Sequence, residues 1–164
     1  MFIIRTVVTA LAFFTTGNLL MAEHFSYGDL KTDSVRDAQF RGQYCRISVY
    51  GPKGGSHVKG NYDETNGVLK IDVDRMSYLE VSGRAKKVVI AFVDRGSNVN
   101  LANLSIGAGG VEIHSVRRSK VDIGQCEGPA TIKNVESSSI TLHSGTTVIG
   151  RDRLTDGSKV FFEE

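Results

Sequence analysis

The sequence predicts an all-β fold, a short two-sheet β-solenoid with about 20 residues per turn and roughly six turns. Three observations carry this prediction. A five-residue pattern of Ser and alternating apolar residues recurs along the chain, a second set of short alternating runs lies between its copies, and no stretch keeps a helical apolar spacing for two turns. The 164 residues also include 18 Gly and only 2 Pro, a composition that suits many tight turns.

The recurring pattern reads Ser, any residue, apolar, any residue, apolar. It occurs at 77–81, 97–101, 119–123, 138–142 and 158–162, with a degenerate sixth copy at 56–60. In a solenoid, equivalent residues of successive turns stack ~4.8 Å apart, so a constant phase from copy to copy favours that fold. The alternative fold, an antiparallel β-sandwich or jelly roll, requires no such period. The serines should then form a ladder at a corner, where each hydroxyl bonds the backbone of the turn.

Alternation within the repeats also predicts the core, because successive side chains of a strand point to opposite faces. One sheet should contribute the column Val81, Leu101, Ile123, Leu142 and Phe162. The other sheet should contribute a facing column made of Ile71, Ile90, Ile113, Ile132 and Ile149. The residues between these positions should face water.

The chain is expected to divide into three segments. Residues 1–22 combine a basic residue and an apolar run with a small residue, Ala22, before the charged Glu23, which is typical of a secretory signal peptide cleaved after Ala22. The apolar run is too short to span about 30 Å of hydrocarbon, so no integral membrane segment is expected. Residues 23–44 lack the repeat and should form an N-terminal cap, and residues 45–164 should form the β-solenoid domain. The sequence therefore predicts a secreted or periplasmic protein.

Two cysteines, Cys45 and Cys126, would favour a disulfide in an exported protein. The solenoid prediction argues against one, because the two residues precede strands that are about four repeats apart. Four steps of ~4.8 Å exceed the ~7 Å between Cα atoms that a disulfide allows. Both thiols are expected to be unpaired.

No catalytic residue, metal site or cofactor is predicted. None of the four histidines has a His partner at the spacing of a sequence-local metal site. Glu112 and His114 share the outer face of one predicted strand, and Asp72 lies on the outer face of another, as charges on a solvated sheet do. The favoured prediction is that the protein is not an enzyme. A small polysaccharide-acting hydrolase or lyase that uses these three residues is the second alternative.

Charge suggests one class of partner and excludes another. With 20 basic and 18 acidic residues the chain has a net charge of +2, too small a field to indicate nucleic acid. Four basic residues fall at turns that should stack along one edge of the solenoid. They are Arg95, Arg117, Arg118 and Lys133. Such a basic edge would bind an anionic glycan or another envelope polymer.

The last strand suggests self-association through the solenoid ends. Val160, Phe161 and Phe162 give it an apolar, β-prone edge, and terminal strands leave one row of N–H and C=O groups unpaired. Glu163 and Glu164 follow directly, and like charges brought together by pairing of identical edges repel. The two glutamates are therefore expected to act against aggregation.

A leader followed by short stacked strands from Cys45 to Phe162 resembles the short exported β-solenoid proteins, at the level of architecture. The resemblance implies no functional residues. The leading hypothesis is a non-enzymatic structural or interaction module of the periplasm or cell surface, which works through stacked strand faces or solenoid ends. Binding of an anionic glycan through the basic edge is the first alternative.

Overall fold

The structure, a computed structural model, describes residues 23–27, 38–41, 45–50, 57–63, 66–143 and 145–163. The predicted signal peptide lies outside these ranges. Nearly all of the described chain is β-structure in two sheets, with a short 3-10 turn at Arg151–Arg153. None of the described segments is a helix long and apolar enough to cross a membrane.

In the part of the chain that the structure describes, ten strands form one sheet and eight form the other. The ten-stranded sheet contains β1 (Glu23–Tyr27), β4 (His57–Asp63), β5 (Val68–Asp74), β7 (Lys87–Val93), β10 (Val111–Ile113), β11 (Val116–Arg117), β13 (Ala130–Ile132), β14 (Val135–Glu136), β16 (Val148–Ile149) and β17 (Leu154–Thr155). The eight-stranded sheet contains β2 (Ala38–Arg41), β3 (Cys45–Tyr50), β6 (Tyr78–Ala85), β8 (Asn98–Leu101), β9 (Leu104–Ile106), β12 (Lys120–Ile123), β15 (Ser139–His143) and β18 (Lys159–Glu163).

From Val68 onward the chain winds as a parallel coil. In the ten-stranded sheet β5, β7, β10, β13 and β16 pair in parallel. In the eight-stranded sheet β6, β8, β12, β15 and β18 do the same. Each turn contributes to both sheets, and there are about five turns. The predicted β-solenoid is confirmed, with one turn fewer than six repeats would give.

The missing turn is at the N-terminal end. The degenerate repeat at 56–60 falls largely in β4, and that strand runs antiparallel to β5 because a tight turn, with the Gly67 amide 2.7 Å from the Asp63 carbonyl, reverses the chain. β3 likewise runs antiparallel to β6, and β1 and β2 extend the two sheets beyond β4 and β3, again antiparallel. Taking 56–60 as a solenoid turn was therefore wrong. Antiparallel strands cover this end of the coil.

The predicted core columns are buried through four turns. The aligned residues Ile71, Ile90, Ile113 and Ile132 are at most 2% exposed. Val81, Leu101, Ile123 and Leu142 are at most 1% exposed in the facing sheet.

The prediction fails in the last turn, where no described strand packs on the far side. Phe162 stacks on Leu142 as expected but stays 42% exposed. Ile149 is 50% exposed and aligns with Thr131 instead of Ile132, because the last turn of this sheet is one residue too short to hold the column.

The serine ladder is confirmed at the corner that enters the eight-stranded sheet. Ser97, Ser119 and Ser138 donate their hydroxyls to corner carbonyls at 2.6, 2.7 and 2.7 Å. The residue after each serine donates its amide to the serine carbonyl one turn earlier, as Asn98 does to Ser77 at 2.9 Å. The hydroxyls thus replace backbone partners that the sharp turn cannot supply.

The register keeps the two cysteines apart. Cys45 aligns with Gly83 on the neighbouring strand, and Gly83 aligns with Leu104 on the next one. The backbone of Cys126 pairs in parallel with Ile106, on the same strand as Leu104. Three strand spacings of ~4.8 Å, instead of the four expected, separate the two backbones, which still exceeds the ~7 Å limit. Cys126 is a half-buried free thiol whose sulfur lies 3.2 Å from the Gly128 carbonyl, and burial raises its pKa.

Candidate functional site

One corner of the solenoid stacks residues in the left-handed backbone region. Arg95, Arg118, Ser137 and Asp156, from four successive turns, have φ of 57°, 48°, 49° and 51°. Few residues other than glycine adopt such angles. Hydrogen bonds between turns hold them, since Gly96 donates its amide to the Arg118 carbonyl at 3.0 Å. The corner therefore brings Arg95 and Arg118, two of the four predicted basic residues, into one column.

Acidic side chains of the preceding turn face these two arginines. Arg95 Nε lies 3.6 Å from Asp74 Oδ1, and Arg118 Nη2 lies 3.3 Å from Asp94 Oδ1. Asp94 is almost fully buried, at 5% exposed, and also accepts the Arg95 amide at 2.7 Å. The positive charge of the column is thus partly neutralised by carboxylates beneath it.

The other two basic residues lie outside that column. Arg117 is on β11 and its Nε donates to Glu136 Oε2 of the next turn at 3.0 Å. Lys133 lies at the bend between β13 and β14, where its Nζ is 3.1 Å from His114 Nε2. The structure places Arg117 beside Arg118 and separates Lys133 from the other three. Binding of an anionic polymer by these residues stays a prediction.

Sequence reasoning missed the acids that pair with the arginines. Asp74, Asp94 and Glu136 are each about one solenoid turn away from their partner along the chain. In a solenoid, residues one turn apart stack directly over each other. The repeat itself was therefore the signal that would have identified these ion pairs.

The outer face of the ten-stranded sheet carries a carboxylate surrounded by nitrogen groups. Glu112 Oε1 accepts from Lys87 Nζ at 2.5 Å, and Oε2 lies 3.2 Å from His114 Nε2 and 4.0 Å from Lys133 Nζ. The hydrogen bond from Lys87, followed by that of His114, lowers the pKa of Glu112 to about 2. A carboxylate held ionised in this way is a poor proton donor. Within the described residues, no cluster of His, Cys, Asp and Glu is arranged to hold a metal ion.

We expect Glu112→Gln to lower stability at neutral pH by on the order of 1 kcal/mol, a small value because exposed ion pairs are screened by water. The pKa of Glu112 is depressed in the folded state from 4.5 to about 2. The ionised network therefore stabilises the fold fully above the unfolded value and loses this contribution as pH falls towards about 2. Urea unfolding of both proteins from neutral to acid pH measures the effect. A stability difference that stayed constant on acidification would contradict it.

The C-terminal end of the solenoid is apolar and partly uncovered. β18 ends the eight-stranded sheet in the described chain, and β16 ends the main path of the other sheet. Phe161 is 49% exposed, and Phe162 and Ile149 are exposed to a similar extent. The Arg151 guanidinium lies 5.1 Å from the centre of the Phe162 ring, so the 151–157 segment covers part of this end. We call the surface formed by Ile149 and β18 the open end.

The three predicted edge residues divide between the two faces of β18. Val160 and Phe162 continue the buried columns of Ile140 and Leu142, so they lie on the core side. Phe161 continues the column of Thr141 on the outer face. Sequence reasoning identified all three but wrongly assigned Ile149 to the core, because a shift of one residue in the register places it in the outer column of Thr131.

Comparison of the chain with protein-family models, with characterised proteins and with solved structures finds no match. Three surfaces therefore remain as candidates for function. They are the corner that carries Arg95 and Arg118, the network of Glu112 with its nitrogen partners, and the open end. The charges of the first two are partly matched by opposite charges within the same chain. The open end is the surface that the described fold leaves unmatched.

Proposed function

We propose that the protein is an exported, non-enzymatic structural or interaction module of the periplasm or cell surface, with the open end as its working surface. The observation that carries this proposal is the uncovered last turn, which leaves Phe162, in the column of the buried Leu142, 42% exposed. Phe162 lies beside the 49% exposed Phe161 on a strand that has one unpaired edge in the described chain. Apolar strand edges of this kind pair readily with other chains, and most proteins protect them.

A further feature supports a structural role. The hydroxyls of the serine ladder are bonded to corner carbonyls, as at Ser119 and Ser138, so these side chains stabilise the coil. The Glu112 carboxylate is likewise engaged by Lys87 and His114. These polar groups have structural partners, which favours a binding or scaffolding role over hydrolysis.

Photo-crosslinking in cells tests whether the open end contacts a partner. We expect a photoreactive phenylalanine at position 161 to give a covalent adduct in the envelope or secreted fraction, because that side chain is exposed at the unpaired edge. The matched control is the same amino acid at Asn100. That residue lies in the same outer column three strands from the end, as the register from Asn100 through Asp122 and Thr141 to Phe161 shows.

Val160→Pro supplies the second control. The Lys159 amide bonds back to Ser138, so by alternation the Val160 amide points away from β15. Proline at this edge position should block strand addition and leave the β15 ladder intact. Adducts that persist in this variant, or that form equally at position 100, would refute a role for the open end, as would the absence of any adduct.

A further inference from the structure

We propose that the partner at the open end is a second copy of this chain, joined by antiparallel pairing of the two β18 strands around a two-fold axis at Phe161. This inference rests on the proposed function and specifies the occupant of the same surface. Four features of the strand support it: the direction of its backbone groups, the placement of its side chains, its charge sequence and the difference between the two solenoid ends.

The backbone of β18 allows only certain registers. Lys159 donates its amide to Ser138 at 3.0 Å, so Lys159, Phe161 and Glu163 bond back to β15. Because backbone polar groups alternate in direction along a strand, Val160 and Phe162 turn their N–H and C=O groups outward. In an antiparallel pair centred on Phe161, Val160 of each chain exchanges both hydrogen bonds with Phe162 of the other, so all outward groups of these two residues are used.

The same register matches the side chains. Val160 and Phe162 lie on the core side, so pairing extends the apolar interior from one chain into the next. Phe161 meets its own copy on the outer face at a non-hydrogen-bonded pair, where Cα atoms are only ~4.5 Å apart and aromatic pairs gain most from contact. A two-fold axis normal to the sheet places the cores of both chains on the same face of the joined sheet. An axis along the strand would place them on opposite faces.

Charge complementarity selects this arrangement. β18 reads Lys-Val-Phe-Phe-Glu, so the antiparallel register places Lys159 of each chain opposite Glu163 of the other, twice per interface. Within one described chain neither side chain takes part in an ion pair. Glu163 instead lies near a like charge, Asp122. Burial raises the pKa of Asp122, and the negative charge of Glu163 raises it further. A parallel register would place lysine beside lysine and glutamate beside glutamate, which is unfavourable.

The two ends of the solenoid also differ, and this difference opposes head-to-tail stacking. At the N-terminal end β3 and β4 already pair with the first turn in antiparallel fashion, and β1 and β2 extend them. A following copy therefore meets no parallel coil to continue there. Pairing of one open end with another uses the same surface on both chains and closes the assembly as a dimer.

Charge-reversal variants test the dimer by sedimentation velocity over a concentration series. We expect the parent chain to dimerise, and Lys159→Glu and Glu163→Lys each to weaken the dimer roughly tenfold, because each places two like-charged pairs at the interface. The double variant Lys159→Glu with Glu163→Lys should return to within about threefold of the parent. An equimolar mixture of the two single variants should form a heterodimer, because every cross-chain pair is again of opposite charge. Circular dichroism checks that each variant is folded.

Several outcomes would overturn the dimer. They are a parent that stays monomeric, a double variant as weak as the single ones, and a mixture that fails to associate. Glu163→Gln decides between this interface and the repulsive role expected for Glu163, because our register predicts weaker association and repulsion predicts stronger association. If the adduct at position 161 in cells has the mass of a different protein, the dimer is refuted and the proposed function stands. If position 161 gives no adduct at all, the proposed function fails with it.

Discussion

Ile113→Ala should lower the free energy of unfolding by roughly 2 to 5 kcal/mol, as truncation of a large aliphatic side chain in a close-packed core does. Ile113 is 0% exposed and stacks between Ile90 and Ile132 at the middle of the coil. Turns on both sides are fixed by parallel ladders, so little relaxation can fill the cavity. Urea unfolding of the two proteins measures the difference.

The matched control is Ile149→Ala, which removes the same atoms from a side chain that is 50% exposed. In dilute solution, where the open end has no partner, we expect it to cost less than about 1 kcal/mol. Equal losses at the two positions would mean that Ile149 is packed as well as Ile113, and would contradict its placement on the outer face of the sheet.

Gly110→Ala should lower the free energy of unfolding by roughly 3 to 5 kcal/mol, about as much as Ile113→Ala, for a different reason. Gly110 has φ of +67°, and an added Cβ would lie 2.1 Å from the Pro129 carbonyl oxygen of the next turn. That oxygen accepts the Val111 amide at 3.0 Å. Relief of the contact would therefore break a bond between turns.

Gly157→Ala separates the cost of the positive φ from the cost of the steric contact with the next turn. Gly157 has a similar φ of +75°, but an added Cβ would have no atom of the described residues within 4 Å. Its cost should be that of the backbone angle alone, about 1 kcal/mol. Thermal unfolding of both variants compares them, and similar losses in Tm would show that backbone angle, not the close approach of turns, limits position 110.

Much of the coil could be predicted because its pattern is local. Ser97 and Ser119 mark the same corner of successive turns, and Leu101 and Ile123 follow them at the same distance on the buried face. Side-chain alternation and a constant repeat are sufficient for such positions. They do not specify the direction of pairing, since β4 alternates equally well as an antiparallel or a parallel strand. For this reason the sequence did not predict the antiparallel cover of the first turn.

The candidate sites were predicted less completely, because they depend on register. The predicted edge residues Val160, Phe161 and Phe162 do lie at an exposed end. The basic edge, however, was predicted from the basic residues at the turns alone. Its net charge also depends on the acidic residues that pair with them from adjacent turns. Arg117 is a clear case, since Glu136 becomes its partner only when β11 aligns with β14.

The stacking of turns has a consequence for how the molecule holds together. Each turn contacts chiefly its two neighbours, so stability is close to a one-dimensional sum of turns and the junctions between them. In the described chain the final turn has one junction instead of two. Thermal opening should therefore begin there and spread inward. A strand laid on β18 would supply the missing junction. Whatever binds the open end would therefore also tighten turns that it does not touch.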